Sequence, residues 1–263
     1  MNNSQTGLEI LHPDRLPGGR VQAAIFDFDG TFSTLRCGWE EVMRPMMLEY
    51  IGGGQADDAL RRRVDEYIDQ STGIQTVYQM RWLAEQVDAA NGGDPQRVLF
   101  RSQRVGERIR RLESGEDRPE QYLIAGAVDF LHMLREAGVD VYLASGTDHR
   151  DVLREAGILG VADCFSEIRG APERAAACSK EAVLRLLLEE KKLAGDRLLV
   201  VGDGKVEIAL GAACGAYALG AATDETALRG VNPVKRERLV KAGADAIVGD
   251  FTCLDALKQW LGL

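Results

Sequence analysis

The sequence predicts an α/β protein in which a doubly wound parallel sheet is interrupted by an all-helical insertion. From about residue 123 to the C-terminus, short apolar runs alternate with helix-period segments. This alternation is typical of a parallel sheet with helices on both faces. One further strand-length apolar run, VQAAIFDF, lies far upstream at residues 21–28. Between these two regions, residues 38–122 show helix periodicity and no convincing strand.

The N-terminal part is expected to be irregular until the first strand. Residues 1–20 contain Pro13, Pro17 and Gly18-Gly19, which break regular structure. VQAAIFDF is then nearly continuous in apolar residues, as expected for a strand covered on both faces.

The insertion is expected to contain four helices. The first is kinked or begun at Pro45. The last has Asp94 as its expected N-cap and Pro95 at its first helical position. The four predicted helices span residues 38–51, 56–70, 74–90 and 94–114.

The remaining elements follow in regular alternation to the C-terminus, which ends in a short helix. Predicted helices cover residues 126–138, 148–160, 178–195, 206–215 and 233–244. Predicted strands lie within residues 139–147, 196–204, 216–220 and 245–251. Ligands of such sheets bind at the carboxyl ends of the strands.

Composition excludes several classes of protein. The 263 residues are 45% hydrophobic and 28% charged, which fits one large globular domain or two smaller ones. The net charge of −9 disfavours a nucleic-acid-binding protein. No apolar run approaches the roughly 20 residues that span a membrane, and no signal peptide is recognisable. We therefore expect a cytoplasmic protein with reduced thiols, since its five cysteines are scattered singly: Cys37, Cys164, Cys178, Cys214 and Cys253.

Polar side chains follow several of the predicted strands. Asp27 and Asp29 follow the first strand, Ser145 the second and Asp203 the third, with Glu207 one helical turn later. Because the carboxyl ends of parallel strands meet at one edge, these groups are expected to converge. Converging carboxylates favour a hard cation such as Mg²⁺. Each motif alone also fits a solvated turn or a helix cap, and only their combination in order favours a site.

Four short segments of the sequence together resemble motifs of the haloacid dehalogenase superfamily. The segments DFDGT, ASGT, SK and GDGKVE look like its four motifs in the right order, and the resemblance covers residues 21–263. It implies a Rossmann-like core formed by residues 1–35 and 123–263, and a helical cap formed by residues 36–122. Within the superfamily, the chain resembles the phosphoglycolate phosphatase and β-phosphoglucomutase-like branch.

The resemblance also implies residue roles. Asp27 resembles the nucleophile that forms an aspartyl-phosphate intermediate, and Asp29 resembles the general acid and base. Mg²⁺ would be bound by Asp27, Asp203 and the backbone carbonyl of Asp29. Glu207 stands where the family often has Asp, so a direct or a water-mediated metal contact remains open. The phosphate-binding and charge-compensating positions implied by the motifs are Ser145, Gly146, Thr31 and Lys180.

The expected activity is Mg²⁺-dependent hydrolysis of a small phosphorylated metabolite, a sugar phosphate or a phosphoglycolate-like acid. Asp29 disfavours the dehalogenase and phosphonate-cleaving branches, whose members depart from the family pattern at that position. A sugar phosphomutase using the same chemistry is the alternative, and a catalytically silent binding protein ranks below both. Arg36 and Gln75 are the expected cap-side substrate contacts. No nucleic-acid or membrane partner is expected, and the chain is expected to be a monomer or a homodimer.

Overall fold

The computed structural model describes residues 7–18, 20–53, 55–71, 76–91, 102–171, 180–193 and 195–263. A seven-stranded sheet forms its centre, with strand order β1-β7-β6-β5-β2-β3-β4. All neighbouring strands are parallel except β1 and β7. The strands are β1 (Leu8–Ile10), β2 (Ala23–Phe26), β3 (Asp140–Asp148), β4 (Glu167–Ala171), β5 (Leu198–Gly202), β6 (Tyr217–Ala221) and β7 (Ala246–Val248).

The order of the strands fixes where a ligand can bind. Strand β2 lies between β3 and β5, so the chain extends the sheet first on one side of β2 and later on the other. The carboxyl end of β2 is thus the point at which the direction of winding reverses, where α/β sheets form their binding crevice.

Two edge strands correct the predictions from sequence. Residues 1–20 were expected to be irregular, but Leu8–Ile10 pairs antiparallel with Ala246–Val248 at one edge. A three-residue strand is too short to produce a periodicity. At the other edge, β4 is mostly half-buried and includes Glu167 and Arg169, so it lacks the apolar run of an interior strand.

The inserted helices carry an apolar core of their own. Met43 and Met47 of the first helix, Val64 of the second and Leu83 of the third are fully buried against one another. Pro45 lies inside the first helix. The predicted start of the fourth helix at Asp94 lies outside the described residues. The helices are α1 (Trp39–Gly52), α2 (Asp58–Gln70), α3 (Thr76–Asn91) and α4 (Ser102–Ser114).

The core helices cover both faces of the sheet, which confirms the predicted fold class. They are α5 (Ala127–Glu136), α6 (His149–Ile158), α7 (Lys180–Lys191), α8 (Lys205–Ala213), α9 (Pro233–Ala242) and α10 (Leu254–Leu261). Helices α5, α6 and α10 share one apolar cluster with β2, β3 and β5. Helices α7 and α8 share another with the opposite face of these strands, and α9 packs beside α8. No described helix combines the length and the hydropathy that crossing a bilayer requires.

Arg108 of α4 joins the insertion to the loop that follows β2. Its Nη1 donates hydrogen bonds to the backbone carbonyls of Thr34, Leu35 and Cys37. The predicted domain boundaries at residues 35/36 and 122/123 stay a prediction.

Candidate active site

The turn after β2 brings Asp27 and Asp29 to the carboxyl edge of the sheet. The backbone N–H of Asp27 donates to the carbonyl of Val201, so the ladder with β5 reaches this residue. Gly30 then takes a positive φ of 77°. A Cβ at Gly30 would overlap Oδ2 of Asp203, so the close approach of the two loops requires glycine here.

Asp203 and Glu207 reach the same place from β5 and α8. Oε1 of Glu207 accepts a hydrogen bond from the backbone N–H of Gly204, at 2.6 Å. A Cβ at Gly202 would overlap the Glu207 side chain, which is only 1% exposed. Glu207 therefore folds back over the end of β5 and does not extend into solvent.

Asp27, Asp203 and Glu207 form a buried carboxylate cluster. One oxygen from each lies within 4.8 Å of the others. Such a cluster of buried negative charges requires compensation, because like charges repel strongly away from water. Oxygen ligands at this spacing suit a hard divalent cation, so the residues fit the cation that the sequence resemblance implies.

Lys235 supplies one positive charge beside this cluster. Its Nζ donates to Oδ2 of Asp203 at 2.7 Å and to Oε1 of Glu225 at 2.6 Å, and it lies 3.4 Å from the carbonyl oxygen of Gly30. Burial lowers the pKa of Lys235, but the two carboxylates more than offset this, so its pKa lies above the ordinary value. Lys235 is therefore protonated at neutral pH.

Hydroxyl groups of the β3 end hold one oxygen of Asp29. Oγ1 of Thr147 donates to Oδ2 of Asp29 at 2.8 Å, and Oγ of Ser145 lies 3.5 Å from the same oxygen. The Ser145 Oγ also accepts a hydrogen bond from the backbone N–H of Thr147. Thr31 is fully buried and donates to Oδ2 of Asp27 at 3.3 Å. The sheet edge thus brings together the residues of the segments DFDGT and ASGT. Gly146 lies buried within β3.

Arg36 lies between the other oxygen of Asp29 and helix α6. Its Nη2 donates to Oε1 of the buried Glu155 at 2.5 Å, and its Nε lies 3.7 Å from Oδ1 of Asp29. Asp151 is 3.9 Å from Nη2. Arg36 was predicted to bind substrate, and it lies at the site with its guanidinium facing three carboxylates.

Two predicted site residues are not fully described. The backbone of Lys180 begins α7, but its side chain lies outside the described residues. Gln75 lies outside them entirely. Their predicted roles therefore stay predictions.

Comparison with known proteins identifies the family. The family model for haloacid dehalogenase-like hydrolases matches residues 21–215, which is most of the chain. This chain belongs to the haloacid dehalogenase-like hydrolase family. The prediction that it is an enzyme of this family is thereby confirmed. The comparison with curated proteins finds no significant match.

Several solved structures share the fold at low sequence identity. A β-phosphoglucomutase from Clostridium difficile is 13% identical, with 92% of this chain and 97% of that chain covered and a TM-score of 0.62. A predicted phosphoglycolate phosphatase from Haemophilus somnus is 17% identical, with 91% of this chain and 99% of that chain covered and a TM-score of 0.56. A predicted phosphatase from Clostridium acetobutylicum is also 17% identical, with 92% of this chain and 99% of that chain covered and a TM-score of 0.55. At these identities the likeness concerns the fold alone.

Sequence reasoning missed three charged residues at this haloacid dehalogenase-like site. Lys235 lies in the first turn of α9, where a positive charge opposes the helix dipole, and that signal was available. Glu155 lies between Val152 and Ala156 on the buried face of α6, where a carboxylate is out of place. Glu225, in the loop after β6, carries no comparable signal.

Proposed function

We propose that this hydrolase is a Mg²⁺-dependent phosphatase that acts on a small phosphorylated metabolite through an aspartyl-phosphate on Asp27. The observation that carries the proposal is the buried cluster of Asp27, Asp203 and Glu207 beside Asp29, whose carboxylate is held by Thr147. This arrangement pairs a nucleophile with a separate acid and base, as a two-step phosphoryl transfer requires.

In the first step, a carboxylate oxygen of Asp27 attacks phosphorus and forms a P–O bond. The bond from phosphorus to the substrate oxygen breaks, and Asp29 gives its proton to that leaving oxygen. In the second step, Asp29 takes a proton from water, and the water oxygen attacks phosphorus. The bond to Asp27 breaks, which releases inorganic phosphate and regenerates the carboxylate.

The charges of the site support a bound cation. Mg²⁺ would be held by the carboxylates of Asp27, Asp203 and Glu207 and by the backbone carbonyl of Asp29. When bound, it supplies positive charge that offsets the carboxylates and the phosphate. Ser145 and Thr31 place hydroxyl groups beside the two reacting aspartates, where they can donate to a phosphate oxygen.

Selection of the substrate is assigned to the insertion. We propose that residues 36–122 form a cap that selects a sugar phosphate or a phosphoglycolate-like acid and limits access of water. The separate apolar core of α1–α3 supports a unit that packs on its own. A reducing, cytoplasmic location is supported by Cys37, Cys164, Cys214 and Cys253, which are free thiols.

The proposal is tested by phosphate release from a panel of phosphorylated metabolites with Mg²⁺. The Asp27→Asn variant is expected to lose roughly 10³-fold or more in turnover with unchanged folding, because the amide is a poor nucleophile. The exposed Asp163→Asn is the matched control. A metal chelator is expected to abolish turnover. An active Asp27→Asn variant would show that Asp27 is not the nucleophile.

The same panel separates hydrolysis from phosphoryl transfer between sugar hydroxyls. Hexose phosphates are followed by phosphorus NMR in parallel with the phosphate assay. Migration of the phosphoryl group without release of phosphate would replace the phosphatase by a phosphomutase. Absence of both reactions would overturn the proposed activity.

A further inference from the structure

A buried ion pair stands behind Asp29, and no step of the proposed reaction uses it. Glu155 is 1% exposed and lies on α6, the helix that directly follows the strand end carrying Ser145 and Thr147. Its two carboxylate oxygens face Nη2 and Nε of Arg36 at 2.5 Å and 3.4 Å. A buried carboxylate costs free energy even when it is paired. Its position beside the site calls for a function.

The same guanidinium reaches Asp29. Nε of Arg36 lies 3.7 Å from Oδ1 of Asp29. Among the described residues, no hydrogen-bond donor serves this buried oxygen. The other oxygen, Oδ2, is held by Thr147 at 2.8 Å. The carboxylate of Asp29 is therefore held from β3 on one side and faces the guanidinium of Arg36 on the other.

We propose that Arg36 and Glu155 are positioning residues, in which Glu155 fixes the guanidinium of Arg36 and Arg36 in turn aims the carboxylate of Asp29 at the leaving-group oxygen. This proposal rests on the proposed function, because it assigns the pair a part in the general acid step. It also gives Arg36 a role different from the substrate contact predicted from sequence.

The position of the Asp29 carboxylate affects the rate because a proton is transferred only over a short distance. A general acid must come within hydrogen-bond reach of the leaving oxygen, and a misplacement of about 1 Å costs about 10²-fold in rate. Arg36 belongs to the loop between β2 and α1, so without an anchor its long side chain has many rotamers. Glu155 removes this freedom. It also prevents the guanidinium from closing directly onto Asp29.

The dependence of rate on the leaving group tests the proposal. Values of kcat/KM are measured for aryl phosphates from 4-nitrophenyl phosphate, whose leaving group needs little protonation, to phenyl phosphate, which needs more. Glu155→Gln keeps the shape and removes the charge. We expect it to lower kcat/KM by about tenfold or more for phenyl phosphate and by less than about threefold for 4-nitrophenyl phosphate. Arg36→Met is expected to show the same pattern.

A matched control lies on the same helix. Arg154 pairs with Glu113 at 2.7 Å, and both side chains are about half exposed. Arg154→Met is expected to leave the whole series unchanged. Arg36→Lys keeps the positive charge without the planar guanidinium group. It is expected to recover part of the loss in kcat/KM caused by Arg36→Met.

Each result decides between the roles. A loss of equal size across the aryl series, or no loss, would overturn the positioning role. A rise in KM alone would assign Arg36 to substrate binding and overturn it as well. If the wild-type enzyme hydrolyses none of the aryl phosphates or metabolites, the proposed function fails and this inference fails with it. If the wild-type enzyme hydrolyses the aryl phosphates and Glu155→Gln leaves the dependence of kcat/KM on the leaving group unchanged, only this inference fails.

Discussion

Lys235 decides how much negative charge the carboxylate cluster presents to a metal. Its ammonium group is 2.7 Å from Oδ2 of Asp203. A second carboxylate, Glu225, shares the same ammonium at 2.6 Å. Two unit charges about 4 Å apart interact by about 4 kcal/mol at an effective dielectric constant of 20. Lys235 therefore weakens the attraction of the site for a divalent cation and competes for one oxygen of Asp203.

Replacing this charge is expected to tighten Mg²⁺ binding. In Lys235→Met the repulsion disappears and Oδ2 of Asp203 is released, so the Kd for Mg²⁺ is expected to fall about fivefold or more. Titration calorimetry on the metal-free protein measures this directly. Lys241→Met, at an exposed position on the same helix, is the matched control. Weaker binding in Lys235→Met would mean that the ammonium group holds Asp203 in place for the metal.

The charged residues of the site differ in how far the sequence reveals them. Asp27 and Asp203 each follow a run of buried apolar residues directly, so strand prediction places them at the sheet edge. Lys235 and Glu155 reach the site from helices whose start and orientation depend on packing. Their identities are unusual for their positions, but the partner of each is distant in the chain. A residue that directly follows a predicted strand can therefore be placed at the site from the sequence. An ion pair between elements that are distant in the chain cannot.

Between elements, Arg108 connects α4 to the loop after β2 through hydrogen bonds. It collects the carbonyls of Thr34, Leu35 and Cys37 at 3.2, 2.7 and 3.1 Å. Its guanidinium also lies 6.0 Å from the centroid of the Tyr122 ring, in the segment between α4 and α5. The segment after β2 and the segment after α4 thus both contact this one side chain.

Loss of this connection is expected to loosen the loop more than the helices. Arg108→Met leaves three carbonyls without their charged donor, which is expected to cost about 1–3 kcal/mol in the free energy of unfolding. Hydrogen exchange is expected to accelerate at residues 34–37 while the α1–α3 core stays protected. Arg110→Met, an exposed change on the same helix, controls for loss of charge. Equal exchange at residues 34–37 in the two variants would exclude this role for Arg108.

Element prediction succeeded where packing on both faces imposes a pattern. The interior strands β2, β5 and β6 are continuously buried and read as apolar runs. The edge strands β1 and β4 escaped prediction because an edge strand has only one neighbour and tolerates polar residues. The described helices lie close to their predicted ranges because most have an amphipathic or apolar repeat, although their described ends differ by a few residues.

At the scale of the whole molecule, the ion pair of Arg36 and Glu155 next to Asp29 links the site to the stability of the folded protein. Burial raises the pKa of Glu155 to about 7, an effect that Asp29 and Asp151 reinforce and Arg36 opposes. In the unfolded chain this carboxyl returns to its ordinary pKa of about 4.5. Between these values the folded state binds more protons than the unfolded state. The free energy of unfolding therefore falls as pH rises through this window.

This gives a prediction for stability against pH. From pH 4.5 to pH 7.5, wild-type protein is expected to lose stability relative to Glu155→Gln, by up to about 3 kcal/mol for a shift of this size. Urea denaturation of both proteins at several pH values measures the difference, and Glu113→Gln, at an exposed position, serves as the control. A difference that does not change with pH would mean that Glu155 titrates alike in both states, with Arg36 offsetting the whole cost of burial. If the difference in the free energy of unfolding becomes smaller toward acid pH, the ionised carboxylate of Glu155 destabilises the folded protein. Its presence beside Asp29 would then be explained by its role in the site and not by stability.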